Sequence, residues 1–344
     1  MKALVYLGEG RKSWIERPDP QIVDATDAII RVDAATICGT DLHILKGDVP
    51  EVAPGRILGH EAVGTVVEIG DAVSGLMPGD RVVASCISAC GRCGYCRDGR
   101  YGQCTGGGGW ILGHTVDGVQ AEYARIPFAD MSAYKIPDGL AAEQAVLLAD
   151  ILPTSYEVGV LNGRVKPGDT VVIVGAGPIG LAAIITAKLF SPLKIIAIDP
   201  VANRRDAAKL FGADITAAPG PDATELVAAS TLDGADVVME AVGTPAAFEL
   251  GATLVRPGGH LANIGVHGGP VTLHLEDLWI RDVTITTGLV DTSTTPALLR
   301  ILAAGQLDLG HMITHRFPLG EIETAYERFA NAGDTGALKV VLTG

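Results

Sequence analysis

The sequence predicts two domains, one an all-β barrel or sandwich and the other built on a doubly wound parallel sheet. Short strand-like runs separated by turns dominate residues 1 to about 150, whereas strands alternate with helices from about residue 165. A glycine-rich turn also joins the first strand of the second part to its first helix. The length of 344 residues agrees with this division, since a domain averages roughly 150 residues.

The first part of the chain contains short runs rich in aliphatic and β-branched residues, bounded by glycine and proline. The predicted strands are 3–7, 28–32, 64–69, 80–84 and 121–126. Such evenly scattered short strands are typical of an all-β barrel or sandwich.

Four cysteines follow these strands in the pattern C-x2-C-x2-C-x7-C. They are Cys90, Cys93, Cys96 and Cys104, and they predict a structural zinc lobe over residues 90–104. An iron–sulfur cluster also uses four thiolates, but this spacing differs from the known ferredoxin patterns. A pair of disulfides is the third interpretation, disfavoured because no export signal is visible. Cys86 lies four residues before this lobe and is interpreted as a small buried side chain.

In the second part of the chain, predicted strands alternate with predicted helices. Its predicted strands are 170–174, 195–198, 236–240, 260–264 and 284–287, and its predicted helices are 179–190, 202–211 and 246–255. This alternation predicts a parallel sheet with helices on both faces. The tail adds predicted helices 296–304 and 321–330 and a strand at 338–342. The four-glycine stretch 106–109 is predicted to be a flexible loop.

The segment Gly175–Gly180 reads G-A-G-P-I-G and follows an apolar strand. Its glycines, Gly175, Gly177 and Gly180, permit a sharp turn, a close approach to a pyrophosphate and tight packing of helix on strand. With Pro178 and Ile179 they open a helix whose free N–H groups attract phosphate. The glycines also argue against a membrane span in the uncharged run 170–187, although its length alone is borderline. We therefore expect a dinucleotide site.

Asp199 ends the next strand, 19 residues after Gly180, where a carboxylate can accept hydrogen bonds from the adenosine ribose. A carboxylate there repels a 2′-phosphate, so the sequence favours NAD over NADP. Arg204 and Arg205 lie nearby and could weaken that repulsion, although Arg205 is interpreted as a solvated helix charge.

The net charge of the chain disfavours two classes of binding partner. With 26 basic and 40 acidic residues the net charge is −14, so neither nucleic acid nor an anionic membrane surface is an expected partner. The sequence shows no signal peptide, and its six cysteines favour metal or catalytic use over disulfides. We therefore expect a cytoplasmic location.

Further candidate ligands are dispersed, and spacing alone does not connect them. Cys38, His60 and Asp150 each have a structural interpretation when considered singly. However, Cys38-Gly-Thr-Asp-Leu-His43, Gly59-His60-Glu61, the four-cysteine lobe and the glycine motif occur in an order that resembles the zinc-containing medium-chain alcohol dehydrogenases. The resemblance covers essentially the whole chain. It implies a Rossmann domain beside a GroES-like catalytic domain.

The resemblance also implies the roles of individual residues. A catalytic zinc would be held by Cys38, His60 and Asp150, with Glu61 beside it, and the four cysteines would hold a second, structural zinc. Many members have a cysteine where this chain has Asp150, whereas the tetrameric bacterial secondary-alcohol enzymes have an aspartate.

Three further residues receive roles from the resemblance. Thr40 would take the proton from the substrate oxygen, and the proton would leave through the cofactor ribose and His43. Trp110 would line the substrate pocket, although a core or interface role is equally compatible with a tryptophan there.

The sequence thus predicts residues 1–151 as a GroES-like catalytic domain, 152–289 as a Rossmann NAD domain and 290–344 as a return to the first. The expected activity is hydride transfer between a primary or secondary alcohol and NAD, giving an aldehyde or ketone. A polyol or amino-alcohol dehydrogenase is the alternative, and a member that binds nucleotide without turnover is disfavoured because every expected residue is present. A homotetramer is expected from the resemblance, with a small-molecule alcohol or carbonyl compound as the substrate.

Overall fold

The computed structural model describes residues 1–344, and the chain divides into two compact units. The first comprises Met1–Pro153 and Val290–Gly344, and the second comprises Thr154–Leu289. The junctions expected from the sequence fall after residues 151 and 289.

The first unit is mainly β-sheet with short helices. Its elements up to the division are β1 (Lys2–Tyr6), β2 (Lys12–Glu16), β3 (Ala28–Thr36), α1 (Gly39–Lys46), β4 (Ala62–Ile69), β5 (Arg81–Ala84), α2 (Gly94–Arg97), β6 (Tyr123–Ile126), α3 (Ala129–Ser132), β7 (Ala133–Lys135), α4 (Ala142–Ala145) and α5 (Ile151–Thr154). Short 3-10 turns occur at Tyr101–Gln103 and Val146–Leu148.

The second unit begins with a π-helical segment, Ser155–Leu161, and then alternates strands with helices. Its elements are β8 (Thr170–Val174), α6 (Pro178–Ala187), β9 (Lys194–Ile198), α7 (Ala202–Phe211), β10 (Ile215–Ala217), α8 (Pro221–Ser230), β11 (Ala235–Glu240), α9 (Pro245–Leu254), β12 (Val255–Asn263), α10 (Leu275–Leu278) and β13 (Thr284–Thr287). A 3-10 turn, Lys188–Phe190, extends α6.

The tail completes the first unit. It contains α11 (Thr295–Ala303), β14 (Ile313–Pro318), the 3-10 turn Leu319–Glu321, α12 (Ile322–Ala330), α13 (Ala332–Thr335) and β15 (Lys339–Thr343). Strand β15 pairs antiparallel with the end of β3, with Val341 opposite Thr36. This pairing sets the last strand of the tail beside the segment that leads into Cys38.

The sheet of the first unit has seven strands in the order β14-β15-β3-β4-β5-β7, with β6 also paired to β3. A separate two-stranded sheet joins β1 to β2. A large apolar core fills most of this unit, and side chains of the tail helix α12 belong to it. A smaller cluster is formed by Ala3, Val5, Ile57 and Ala121. The tail is therefore an integral part of the unit that begins at the N-terminus.

The sheet of the second unit is entirely parallel, in the order β10-β9-β8-β11-β12-β13. This is the strand order 3-2-1-4-5-6 of dinucleotide-binding sheets. In such a sheet the chain adds strands first to one side and then to the other, and the switch lies between the first and fourth strands, here β8 and β11. Every residue of β8 is buried, as expected for a central parallel strand covered on both faces.

The uncharged run 170–187 forms β8, the glycine turn and α6, as the glycines predict. No helix of the structure has the length and apolar content that crossing a membrane requires. Twelve of the helices and strands were not predicted from the sequence, namely β2, β7, β10, β14, α1, α2, α3, α4, α5, α8, α10 and α13. Each of them is short or carries polar residues, so its hydrophobic periodicity is weak.

Candidate functional site

The four cysteines of the 90–104 lobe converge in space. Their sulfur atoms all lie within 4.8 Å of one another, with 3.9 Å between Cys90 and Cys96 and 4.0 Å between Cys93 and Cys104. Sulfurs about 2.3 Å from a tetrahedral zinc are about 3.8 Å apart, whereas a disulfide requires about 2.05 Å. All six cysteines are free thiols, so the arrangement fits a closed metal site.

Backbone N–H groups of the lobe point at the sulfurs and stabilise their thiolate form. The N–H groups of Cys93, Cys96 and Gly106 lie 3.4 Å from the sulfurs of Cys90, Cys93 and Cys104, respectively. Hydrogen bonds from the backbone of Cys96 and Thr105 lower the pKa of Cys93 to about 5. A thiolate is the form that binds zinc, so the surroundings of Cys93 favour a cation. Burial raises the pKa of Cys96 to about 12, so this thiol would lose its proton only when a metal binds.

The glycine stretch 106–109 lies in a loop, as the sequence predicts, and this loop is tied to Ser88 at its end. Gly109 and Ser88 exchange two backbone hydrogen bonds, of 2.6 and 2.9 Å. A Cβ on Gly106 would lie 2.4 Å from the sulfur of Cys90, and one on Gly108 would lie 2.3 Å from the carbonyl oxygen of Ser88. The glycines are therefore needed because the chain passes directly over the cysteine cluster.

A second set of donors also converges, formed by Cys38, His60, Glu61 and Asp150. The Nε2 atom of His60 lies 3.4 Å from the Oδ2 atom of Asp150, and the Cys38 sulfur lies 3.9 Å from the same oxygen. Ligands of a tetrahedral zinc at ordinary bond lengths are separated by about 3.4 Å for N and O and about 3.6 Å for S and O. The geometry thus brings together three residues that lie 22 and 90 positions apart in the sequence.

Local structure explains how Cys38 is presented. It precedes α1 as the N-cap residue, and the Asp41 carboxylate in the first turn accepts a 2.9 Å hydrogen bond from its N–H. This helix ends at Gly47, whose φ of 84° is in the left-handed region that favours glycine. The sulfur is consequently fixed at the start of a short, capped helix.

The Asp41 carboxylate also stands behind His60. Its Oδ1 atom is buried, makes no hydrogen bond and lies 3.8 Å from the Nδ1 atom of His60. A histidine that binds zinc through one nitrogen usually offers the other to a carboxylate. Since Nε2 faces Cys38 and Asp150, an unpaired Oδ1 near Nδ1 supports binding of a cation by this cluster.

Glu61 is paired with Lys339, a residue that was not predicted to belong to the site. Its Oε2 atom accepts hydrogen bonds from the Thr36 hydroxyl and from the Lys339 ammonium group of β15. Lys339 is 2% exposed, and the negative charge of Glu61 raises its pKa against the opposing effect of burial. When Glu61 is ionised this pair is neutral, so within the donor set itself Cys38 and Asp150 supply the two negative charges that balance a zinc ion.

The predicted relay residues lie on α1. The Thr40 hydroxyl is 3.7 Å from the Cys38 sulfur, so it adjoins the donor cluster. His43 is 47% exposed, and its Nδ1 atom lies 2.7 Å from the Asp48 carboxylate. Asp48 was not predicted from the sequence, because nothing in its spacing distinguishes it from a surface charge.

Trp110 lies beside the donor cluster. Its ring contacts that of His60 edge to face, with centroids 6.4 Å apart, and stacks on His114 at 4.3 Å. The side chain is partly buried. This position would allow the indole to contact a substrate held near His60.

The glycine turn of the second unit has the conformation that its sequence predicts. Gly175 has a φ of 98°, and a Cβ on Gly180 would lie 1.8 Å from the Gly175 carbonyl oxygen. A Cβ on Gly177, by contrast, would meet no atom within 4 Å. The turn therefore leaves open space at Gly177, where Pro178 and Ile179 begin a ten-residue helix, so the residues fit a bound pyrophosphate.

Asp199 is buried at the end of β9 and braces this turn. Its two carboxylate oxygens accept 2.8 Å hydrogen bonds from the N–H groups of Ala176 and Val201. Arg204 lies 3.9 Å from the carboxylate, whereas Arg205 donates to the carbonyl oxygens of Asp199 and Pro200. Arg205 is thus tied to the backbone and does not have the solvated role that the sequence suggested.

Two other features are not members of these donor sets. Cys86 is 4% exposed and adjoins the second donor set, where burial and the nearby carboxylate of Asp150 raise the pKa of its thiol well above the ordinary range. His274, Glu276 and Asp277 form an exposed cluster at α10, in which His274 pairs with Glu276 at 2.9 Å. Exposed acidic groups of this kind are common on protein surfaces.

Two family models match the chain. Residues 24–138 match the alcohol dehydrogenase GroES-like domain, and residues 178–304 match the zinc-binding dehydrogenase domain. The first contains Cys38, His60 and the cysteine lobe, whereas Asp150 lies between the two matched regions.

Curated relatives match over nearly the full length. An alcohol dehydrogenase of Cupriavidus necator is 38% identical, over 99% of this chain and 98% of the relative. An L-threonine 3-dehydrogenase of Pyrococcus horikoshii is 36% identical, over 92% of this chain and 91% of the relative.

Solved structures match the whole chain as well. The zinc-dependent alcohol dehydrogenase 2 of Streptococcus pneumonia is 46% identical with a TM-score of 0.96, covering 100% of this chain and 98% of that one. An alcohol dehydrogenase of E. coli in complex with NADH is 27% identical with a TM-score of 0.91, covering 100% and 99%. A zinc-binding dehydrogenase of Sinorhizobium meliloti bound to NADP is 29% identical with a TM-score of 0.87, also covering 100% and 99%.

Proposed function

The chain belongs to the zinc-dependent alcohol dehydrogenases of the medium-chain type, and we propose that it oxidises primary or secondary alcohols with NAD, giving aldehydes or ketones. The observation that carries this proposal is the convergence of Cys38, His60 and Asp150 beside Thr40 and Trp110. Three protein ligands with a further position left for a small molecule are the arrangement of a catalytic zinc site. The four cysteines 90, 93, 96 and 104 would hold a second, structural zinc.

A zinc ion in the catalytic site would act as a Lewis acid and lower the pKa of an alcohol hydroxyl. The surrounding residues keep this site close to neutral. Cys38 and Asp150 supply two negative charges, and Lys339 neutralises Glu61. Glu61 would therefore remain beside the metal as a carboxylate whose charge is already balanced. Trp110, next to His60, would form one apolar wall for the alcohol.

The proton of the alcohol needs an acceptor near the donor cluster. We assign this role to the hydroxyl of Thr40, which adjoins Cys38 and would act as a relay, accepting the alcohol proton on Oγ1 while it passes its own hydrogen on toward His43. His43 would release the proton to solvent, since its side chain is 47% exposed. When the Nδ1–H group of His43 donates to Asp48, the Nε2 atom remains available as a base.

Substitution of Thr40 tests this assignment. Thr40→Ala should lower kcat by roughly 10²- to 10⁴-fold, the usual contribution of a positioned proton acceptor, while both zinc ions and NAD binding are retained. Thr40→Ser keeps the hydroxyl and is the matched control, expected to retain most of the activity. Steady-state kinetics on the three proteins give the comparison. Full turnover in Thr40→Ala would remove this residue from the proton path.

For the cofactor, we propose NAD. Support comes from the negative charge of Asp199 at the end of β9, since a 2′-phosphate would face that charge at close range. Each carboxylate oxygen accepts one hydrogen bond from a backbone N–H group and retains a second lone pair that a ribose hydroxyl could use. Arg205, which would favour a phosphate, is turned toward its own backbone.

The alternative function is a polyol or amino-alcohol dehydrogenase. The 36% identity to an L-threonine 3-dehydrogenase supports it, because L-threonine is an alcohol that carries an amino group. The two functions differ in the substrate pocket and share the metal chemistry.

A substrate panel distinguishes these functions. NADH formation should be measured with ethanol, propan-2-ol, butan-2-ol, sorbitol and L-threonine, on protein shown to contain two zinc ions per chain. We expect the highest kcat/KM with a simple alcohol. Preference for sorbitol or L-threonine would replace the proposed substrate class by the alternative, and turnover of none of them would contradict both.

We further propose a cytoplasmic location and a homotetrameric assembly. The six free cysteines, four of them arranged for a metal, support a reducing compartment. The tetramer rests on resemblance to the bacterial secondary-alcohol enzymes. Sedimentation of the purified protein would measure it directly.

A further inference from the structure

A buried chain of hydrogen bonds connects the tail helix α12 to the carboxylate behind His60. The Tyr326 hydroxyl donates to the Oε1 atom of Gln120 at 2.7 Å. The Nε2 atom of Gln120 donates to Asp41 at 3.0 Å and to the Thr36 carbonyl oxygen at 3.1 Å. Tyr326, Gln120 and Asp41 are each at most 1% exposed, so water does not compete for these bonds.

The direction of these bonds follows from the chemistry of the groups. Because the Tyr326 hydroxyl donates to the amide oxygen, the amide NH₂ of Gln120 faces the Asp41 carboxylate. The reverse orientation would place the amide oxygen against a negatively charged group. Asp41 receives both Gln120 and the Cys38 N–H on its Oδ2 atom, which leaves Oδ1 near the Nδ1 atom of His60.

Packing holds Gln120 on the segment that carries His60. A Cβ on Gly59 would lie 2.5 Å from the Cγ atom of Gln120, so the side chain rests directly on the residue before His60. The Gln120 N–H also donates to the Leu58 carbonyl oxygen at 2.9 Å. Gln120 is thereby held through both its backbone and its side chain.

We propose that Tyr326 and Gln120 are positioning residues for the catalytic metal, which fix Asp41 so that Asp41 orients His60. The tail helix would then lower the rate at which this site releases zinc. It would do so although Tyr326 lies 206 residues from Gln120 in the sequence. The proposal rests on the proposed zinc site and is independent of which alcohol is oxidised. Removal of partners behind a ligating histidine typically weakens metal binding 10- to 100-fold.

Tyr326→Phe tests this role because it removes a single oxygen atom. Zinc release from the holoenzyme to an excess of a chromogenic chelator should show two phases, one for each metal. We expect release from the Cys38 site to accelerate by roughly tenfold, the lower end of that range. Release from the four-cysteine site should be unchanged, which provides an internal reference within the same molecule.

Two other variants sharpen the test. Gln120→Glu keeps the acceptor for Tyr326 but sets a second carboxylate against Asp41, so it should accelerate release more than Tyr326→Phe. Tyr6→Phe is the matched control, because Tyr6 is 6% exposed and belongs to the same apolar core. It should leave both phases unchanged.

Cobalt replacement supplies a readout that loss of packing alone does not alter. In the protein with Co²⁺ at the Cys38 site, Tyr326→Phe should shift the visible absorption bands, and Tyr6→Phe should not. Equal acceleration of both release phases would overturn the proposal by showing general destabilisation, and so would unchanged release with unchanged cobalt spectra. A wild-type protein that binds zinc only at the four cysteines would instead refute the proposed catalytic site.

Discussion

Replacing Asp150 with alanine is expected to leave one zinc ion per chain and to lower kcat/KM by roughly two to three orders of magnitude or more. Asp150 contributes the oxygen that lies 3.4 Å from His60 and 3.9 Å from the Cys38 sulfur. Its loss leaves two ligands and one negative charge for a divalent cation. A Lewis acid supplies several kcal/mol of stabilisation, and each ~1.4 kcal/mol corresponds to tenfold in rate.

A charge-conserving variant provides the control. Asp150→Cys retains a negatively charged donor of a type that zinc accepts, so it should keep both metals and a measurable part of the activity. Metal analysis and NAD titration of each variant separate loss of the zinc from loss of the cofactor site. Two zinc ions and full activity in Asp150→Ala would mean that the third ligand is a different residue.

Replacing Asp199 with glycine should raise the NADP/NAD ratio of kcat/KM by about tenfold or more, because one repulsive charge near the 2′-phosphate is removed. Bonds to the ribose hydroxyls, worth roughly 1.5–3 kcal/mol each before exposure to water weakens them, would be lost for NAD. Arg204, 3.9 Å from this carboxylate, would then be free to approach a phosphate.

The structure adds a second consequence of this substitution. Ala176, within the glycine turn, loses the acceptor of its N–H group, so both cofactors should bind less tightly. The ratio is therefore the informative quantity, measured with one alcohol in both proteins. Adding Arg204→Ala to the Asp199→Gly protein should reverse part of the gain for NADP. An unchanged ratio in Asp199→Gly would show that this residue does not set cofactor preference.

The fold was largely predictable because strong local patterns mark its central elements. The all-apolar β8 and the helix α7 have the same bounds in the sequence analysis and in the structure. Strand β14 was missed because it contains His315 and Arg316 and depends on pairing with β15. Such pairing is a long-range property that periodicity does not report.

The candidate site was predictable in its motifs but less so in its supporting residues. The four cysteines lie close together in the sequence, so their spacing alone indicates a metal. Cys38, His60 and Asp150 needed a family resemblance to connect them. Lys339 and Tyr326 gave no signal at all, because a single lysine in a strand and a single tyrosine in an amphipathic helix are ordinary. Their roles follow only from the partners that folding brings to them.

The most direct test of the central claim is isotope transfer. The zinc-loaded enzyme is incubated with NAD and propan-2-ol carrying deuterium on its carbinol carbon, and the reduced cofactor is examined by mass spectrometry. The reaction is repeated after chelation of the metal at the Cys38 site. A zinc-dependent alcohol dehydrogenase predicts deuterium on the nicotinamide ring and loss of transfer after chelation. Reduced cofactor without deuterium, or transfer that persists without that metal, would contradict the account.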